Sequence, residues 1–335
     1  MDTKKRETYL NIKTLKIFVV LFLAGAVSVL LFQVFLSSGF VSESEKVNPS
    51  KKTAESSAVT SDPFKKLSLE ARAVYAFDLY SNKVLYAKNE DEKLPLASLT
   101  KLMTALVALD SMSPDSIITL TREDLKAEGD SGLLSGEKWR VEDLLEAMLI
   151  TSSNDAAHAI SRSALSSGES EPPVSFIGTM NEKAQTLGLS SMEFFNESGL
   201  DVGDGEMKNG VPVVPTQSGG YGSAKDVEIL INDLWQKYPT TLEITAQESA
   251  KIISADGIIH NVPNTDEALS HFPSMIASKT GYTTLAGGNL AIIFDTGIGH
   301  PVAVVVLGSS YQGRFSDMQA LVGAILESIN PYEKK

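Results

Sequence analysis

Residues 17–36, running from Ile17-Phe18-Val19-Val20 to Val34-Phe35-Leu36, carry no charged side chain and are almost wholly apolar. This run limits the architecture before any other feature is read. Twenty helical residues rising about 1.5 Å each match the roughly 30 Å hydrocarbon core of a bilayer. Lys4, Lys5, Arg6, Lys13 and Lys16 precede the run, whereas Glu43 and Glu45 come after it. That charge order predicts a cytoplasmic N-terminus and an extracytoplasmic remainder. A cleaved signal peptide is the competing reading, with an apolar region of about 7–15 residues and a small-x-small cleavage site. The longer run here, crowded at its end by Gln33, Phe35 and Leu36, favours an uncleaved single-pass anchor.

The expected plan is a basic cytoplasmic tail at 1–16, a transmembrane anchor at 17–36, a flexible linker at 37–67 and a folded domain at 68–330. Residues 37–63 are rich in Ser, Glu, Lys and Thr without an apolar period, as a solvated tether is. Such a coil of about 27 residues spans roughly 30 Å, which keeps the domain near the membrane face. Apolar content of 43% supports a sizeable core. Net charge is −13, and the five basic and two acidic residues of the first sixteen leave the remainder near −16. A nucleic-acid partner would require a basic face, so that class is excluded. Cysteine is absent, which removes disulfides, thiol nucleophiles and cysteine metal sites.

Periodicity sketches an α+β domain. Ala73, Tyr75 and Phe77 alternate ahead of a turn at Asp78–Asn82, and Val84 to Ala87 completes a hairpin. From Ser98 the pattern becomes helical, with Leu99, Leu102, Met103, Leu106 and Leu109 at three- and four-residue spacing. Residues 113–175 read as mixed and mostly helical, including Val141 to Leu149 and a helix beginning near Asp155. Phe176 to Leu187 reads as a helix stopped by Gly188, residues 201–222 as a long Gly- and Pro-rich loop, and Ala224 to Lys237 as helix. Gly288–Phe294 and Val302–Gly308 are apolar β runs, and Ser316 to Ile329 reads as the last helix. Strands at both ends with helices between predict an α+β domain whose sheet is built from sequence-distant segments.

Three short motifs carry chemistry. Ser98 and Lys101 are three apart at a helix start, so the amine lies beside the hydroxyl. A serine there is most often a simple N-cap, but a desolvated lysine can instead take its proton and make it a nucleophile. Ser135 and Lys138 repeat the spacing in a glycine-bounded stretch that reads as a turn. Ser152 and Asn154 fall at a break between two helical patterns, where the plain reading is Asp155 capping the second helix. Ser328 and Asn330 repeat that spacing at the extreme C-terminus. Lys279-Thr280-Gly281 is a polar edge strand turning at Gly281, or a fixed positive charge with a hydroxyl donor and a close backbone approach. No Gly-x-Ser-x-Gly or His-Glu-x-x-His is present, and His158, His260, His271 and His300 are scattered.

In this order, Ser-x-x-Lys, Ser-x-Asn and Lys-Thr-Gly mark penicillin-binding proteins and serine β-lactamases. Over about residues 68–330 the chain resembles the D-alanyl-D-alanine carboxypeptidases among the low-molecular-mass penicillin-binding proteins (serine peptidase family S11). Further residues that resemble the family are Leu102-Met103-Thr104, Val141 to Leu145, Met180-Asn181, Phe195 to Asp201 and Gly313-Arg314. The resemblance implies a transpeptidase-like α+β fold, an antiparallel sheet flanked by helices plus a mostly helical subdomain. It implies hydrolysis of a peptidoglycan stem peptide ending in D-Ala-D-Ala through an acyl-enzyme, covalent inhibition by β-lactams, and no cofactor. Ser98 would be the nucleophile, Lys101 its base and Ser152 the proton relay. Asn154 would orient the substrate amide, the N–H groups of Ser98 and Tyr282 would hold the oxyanion, and Lys279, Thr280, Gly281 and Arg314 would bind the terminal carboxylate. A non-catalytic β-lactam or peptidoglycan sensor, a D,D-endopeptidase and a β-lactamase of the same fold are the alternatives.

The chain departs from the family pattern at Ser153, where glycine or alanine is usual, and at Tyr282, where histidine is common. Its loop at 202–219 is enlarged. The chain also stops soon after the peptidase domain, where many relatives add a β-rich domain and a C-terminal amphipathic anchor.

Overall fold

The computed structural model describes residues 62–329, apart from 130, 166–174, 204–206, 209–210, 213–214, 273 and 298. The expected tail, the anchor and the linker as far as residue 61 lie outside the described residues. Among the described residues no helix is long and apolar enough to cross a membrane.

Five antiparallel strands form the main sheet. They are β1 (Ala73–Asp78), β2 (Lys83–Lys88), β3 (Met275–Thr283), β4 (Gly287–Asp295) and β5 (Pro301–Ser309). Their order is β3-β4-β5-β1-β2, so the first strand lies against the last, with Tyr75 opposite Val305 and Ala76 opposite Val304. Side chains alternate across a strand. Val302, Val304 and Val306 therefore enter one core with Leu290, Ile292 and Phe294. Ala303, Val305 and Leu307 enter the other with Ala291 and Ile293. Burial on both faces explains why these strands read as unbroken apolar runs rather than alternating ones.

The C-terminal helix covers the first face through Phe315, Met318, Leu321 and Ile325. It runs from Gly313 to Ile329, three residues longer at its start than expected, because the Ser310 hydroxyl accepts the N–H of Gly313. Ordered packing also begins before residue 68. Phe64 stacks on Tyr86 at 5.5 Å, and Leu67 packs against the same core.

The second face carries the helical part. Helices α1 (Thr100–Ser111), α2 (Val141–Thr151), α3 (Asn154–Leu165), α4 (Phe176–Thr186) and α5 (Ala224–Lys237) share its core. Every residue of α1 from Thr100 to Ala108 is buried. The apolar stripe read from the sequence thus belongs to a central helix enclosed all round. Several short strands escape the sequence pattern. Ile117–Thr119 pairs with Lys138–Arg140, Ser249–Ile253 with Ile259–Pro263, and Gly220–Gly222 lies between Leu94–Pro95 and Glu193–Phe194. These pieces of two to five residues are held by tertiary contacts that local patterning does not carry.

Candidate active site

The turn Ala97–Leu99 feeds α1 and places Ser98 at its mouth. Ala97 has φ +48°, an uncommon conformation for a residue with a Cβ. Gly199 (φ +82°) presses on it from the opposite loop, and a Cβ there would lie 1.9 Å from the Ala97 carbonyl oxygen. Only glycine fits. One turn into the helix, Lys101 is fully buried. Its Nζ lies 3.0 Å from Ser98 Oγ, 2.7 Å from Asn154 Oδ1 and 2.7 Å from the Ser198 carbonyl oxygen. The Asn154 amide is oriented unambiguously, because its Nδ2 donates to the Glu128 carbonyl at 2.6 Å.

Burial drives the Lys101 amine well below its ordinary pKa, the Lys279 charge pushes it further down, and Glu197 pulls the other way. A neutral amine has two N–H donors and one lone pair, whereas an ammonium has three donors and no acceptor site. The carbonyls of Asn154 and Ser198 take the two donors. The lone pair is left facing the Ser98 hydroxyl, the arrangement a general base requires.

A second cluster closes on the first from the sheet. Helix α2 ends at Ser152, whose left-handed conformation (φ +61°) turns its hydroxyl away from the helix path. Lys279, on edge strand β3, donates to Ser152 Oγ at 2.9 Å and to the Thr280 carbonyl at 3.0 Å. Burial, then the nearby Arg314 charge, lowers Lys279 to about 7. Thr280 Oγ1 and Thr265 Oγ1 are 2.6 Å apart. β3 does not turn at Gly281 as expected but continues to Thr283. A Cβ on Gly281 would lie 3.2 Å from Ser98 N, so glycine lets the strand pass directly against the nucleophile. Arg314 is buried, donates to the Gly281 carbonyl at 3.1 Å, and has its guanidinium 4.3 Å from the Tyr311 ring and 4.6 Å from that of Phe315. Tyr282 is half exposed, its ring edge-on to Tyr311. A cavity of about 240 Å³ opens beside Ser152 and Asn154, walled by Ser131, Asn264 and Thr265.

The structure thus joins Ser98, Lys101 and Asn154 in one group, and Ser152, Lys279 and Thr280 in another. Arg314 is linked to Gly281 behind them. Ser135 lies in an exposed turn and Lys138 on a short strand, apart from this constellation. The helix break needs one correction. Ser153, not Asp155, caps α3, its Oγ accepting from Ala156 N at 3.0 Å, while Asp155 accepts from Ser131 Oγ.

Sequence reasoning misses Ser198, Thr265 and Asn289 as site residues. Asn289 donates to the Pro95 carbonyl and accepts from Gly308 N, so it ties the approach to Ser98 onto the sheet. A fully buried amide inside the apolar run 288–294 is its signal. Ser198 acts through its backbone, which leaves no mark in side-chain identity.

The family model described as D-alanyl-D-alanine carboxypeptidase (Peptidase S11) matches residues 56–311. The D-alanyl-D-alanine carboxypeptidase DacF of Bacillus subtilis is 30% identical over 254 residues, 74% of this chain and 60% of that protein. The D-alanyl-D-alanine endopeptidase of Haemophilus influenzae is 39% identical over 227 residues, covering 67% of this chain and 70% of that one. The chain spans 60% to 65% of the length of DacF and of DacB2 from Mycobacterium tuberculosis. Among solved structures, a D-alanyl-D-alanine carboxypeptidase from Mycobacterium tuberculosis superposes with a TM-score of 0.65 at 27% identity, over 79% of this chain and 94% of that one. Penicillin-binding protein D2 from Listeria monocytogenes, solved in an ampicillin-bound form, gives 0.63 at 28% identity over 77% and 98%. With the motif residues gathered at one cleft and the family model spanning most of the chain, this protein belongs to the serine-type D-alanyl-D-alanine carboxypeptidase family, S11.

Proposed function

We propose that the protein is a membrane-anchored serine D-Ala-D-Ala carboxypeptidase that trims peptidoglycan stem peptides and is acylated by β-lactams. The observation that carries the reading is the buried Lys101 amine, 3.0 Å from the Ser98 hydroxyl with the Asn154 and Ser198 carbonyls as its other partners. Lys101 removes the Ser98 proton as Oγ bonds to the carbonyl carbon between the two D-alanines. The N–H groups of Ser98 and Tyr282 receive the oxyanion, a stabilisation of roughly 3–4 kcal/mol per donor. The C–N bond breaks as Ser152, backed by Lys279, protonates the departing amine. Asn154 orients the substrate amide, and Lys279, Thr280 and Arg314 hold the terminal carboxylate, with Gly281 letting the substrate lie along β3. Ser152 recovers a proton from Lys101. In deacylation water gives one proton to Lys101 as its oxygen bonds to the ester carbon. Ser98 Oγ takes that proton as the C–O bond breaks, which restores the neutral base. Every step is carried by side chains, backbone N–H groups and water.

The name of the endopeptidase relative supports a second reading, in which the leaving amine belongs to a cross-link. Incubating the protein with diacyl-Lys-D-Ala-D-Ala and with a cross-linked peptide dimer separates the two by product. Free D-alanine from the first substrate supports the carboxypeptidase reading; cleavage of the dimer alone supports the other. A labelled penicillin should modify Ser98, and label elsewhere, or none on folded protein, overturns the acyl-serine assignment. For the anchor, support comes from the length and flanking charges of 17–36. Recovering mature protein that starts near residue 40 refutes it.

A further inference from the structure

His158 and Glu197 stand behind the active site and neither enters the mechanism above. Glu197 immediately precedes Ser198, whose carbonyl accepts from Lys101. Its own carbonyl accepts from Thr104 Oγ1 on α1 at 2.6 Å, which ties this loop to the helix that carries Lys101. Its carboxylate is largely covered, and Oε1 lies 3.1 Å from His158 Nδ1 on α3. A carboxylate can only accept here, so the ring nitrogen donates. The other side of the ring faces acid as well, with Nε2 4.0 Å from Asp124 Oδ1. Asp124 is itself gripped by Arg162, with Nε at 2.8 Å from Oδ1 and Nη2 at 2.9 Å from Oδ2.

These contacts set four polar side chains in a row. Arg162 neutralises Asp124, His158 stands between Asp124 and Glu197, and Glu197 is the carboxylate acting on Lys101, opposite in sense to Lys279. A negative charge favours a lysine's protonated form, and the His158 ring holds that carboxylate where it lies.

We infer that Glu197 and His158 are positioning residues that set the proton affinity of Lys101. Glu197 fixes the loop so that the Ser198 carbonyl meets the amine, and its charge opposes the push of Lys279. His158 holds that carboxylate in place through the Nδ1 hydrogen bond. The inference rests on the acyl-serine reading and concerns only how the base is tuned.

The test is the rate of Ser98 acylation by a labelled penicillin, on the full-length protein in detergent, from pH 5 to pH 9. Glu197→Gln keeps the side-chain shape and removes the charge. Its rising limb should move to lower pH by about half a unit to one unit, a gain of about 3- to 10-fold on the limb, with the maximum rate kept within about two-fold. His158→Gln keeps a donor for Glu197 and should keep the wild-type limb. His158→Ala removes the donor and should move the limb the same way as Glu197→Gln by a smaller step, about two- to three-fold on the limb. Profiles that keep the wild-type shape and fall uniformly make the pair merely structural and overturn the inference. If Glu197→Gln does not fold, the His158→Ala profile, with His158→Gln as the rescue, decides by the same criterion. Absence of label on wild-type Ser98 overturns the acyl-serine reading itself, and this inference with it.

Discussion

Lys101 lies on a central helix among three oxygen atoms, and Lys279 lies on an edge strand against a hydroxyl and a carbonyl. Both side chains are buried, and burial depresses both amines. The rest of their surroundings separates them. The helix side offers Lys101 two fixed carbonyls, which suit a neutral amine and leave its lone pair directed at Ser98. The strand side leaves Lys279 at about 7, half protonated near neutrality, with a relay hydroxyl and Arg314 close by. Such a group gains its proton when an anion arrives. Two residues of one type are thus prepared as base and as cation by their partners alone.

Removing the base should have the largest effect. Lys101→Ala is expected to lower penicillin acylation by about 10³- to 10⁴-fold, the upper part of the range of general-base catalysis. Stopped-flow or gel-based labelling of folded variant measures this. A loss no greater than that of Lys279→Gln erases the proposed division of labour. Lys279→Gln comes second, at about 10²-fold in kcat/KM for D-alanine release. Here a fixed proton donor and carboxylate partner is lost while the Ser98–Lys101 pair stays.

A pH profile sharpens the contrast further. The free enzyme should lose kcat/KM as pH rises through about 7, where Lys279 gives up its proton. Arg314 is the charge that helps hold Lys279 down, so Arg314→Gln should move this falling limb upward, although overall binding weakens. An unmoved limb removes Lys279 as its origin. The same group affects stability with a defined sign. Its folded pKa lies below its unfolded value, so folded protein binds the proton less tightly. Below pH 7 the group costs stability, and that cost fades as pH rises toward about 10.4. Thermal melts of wild type and Lys279→Gln across that window should converge at the alkaline end.

The smallest effect belongs to Ser153, which lies between the two clusters in sequence and serves neither. Ser153→Ala removes the cap of α3 and should cost about 1 kcal/mol in chemical denaturation, with acylation changed less than two-fold. A large acylation defect means the cap also holds Asn154 in place.

Legibility in the sequence depends on how local each signal is. Helix α5 is bounded correctly at Ala224 and Lys237, where Ser223 caps it and Lys237 ends it. β4 and β5 are recognisable because burial on both faces makes continuous apolar runs. Ser98 and Lys101 are readable because three residues on a helix fix their separation. The short strand pairs are not, and neither is the role of Ser198, since a backbone carbonyl depends on where the chain returns. The cap of α3 is misread because Asp155 is as good a capping residue by type as Ser153. Only the position of α3 decides between them.

Pairing of β1 with β5 has a consequence for when the site can come into being. The nucleophile helix is made early, but Lys279 reaches Ser152 across 127 residues, and Asn289 reaches Pro95 across 194. β1 must wait for β5 before it has a neighbour on that side. Closing such distant pairs is slow relative to forming local helices. A nascent chain ending before residue 275 therefore has Ser98 and Lys101 but no wall opposite them, and reactivity arises only with the last strands of the chain.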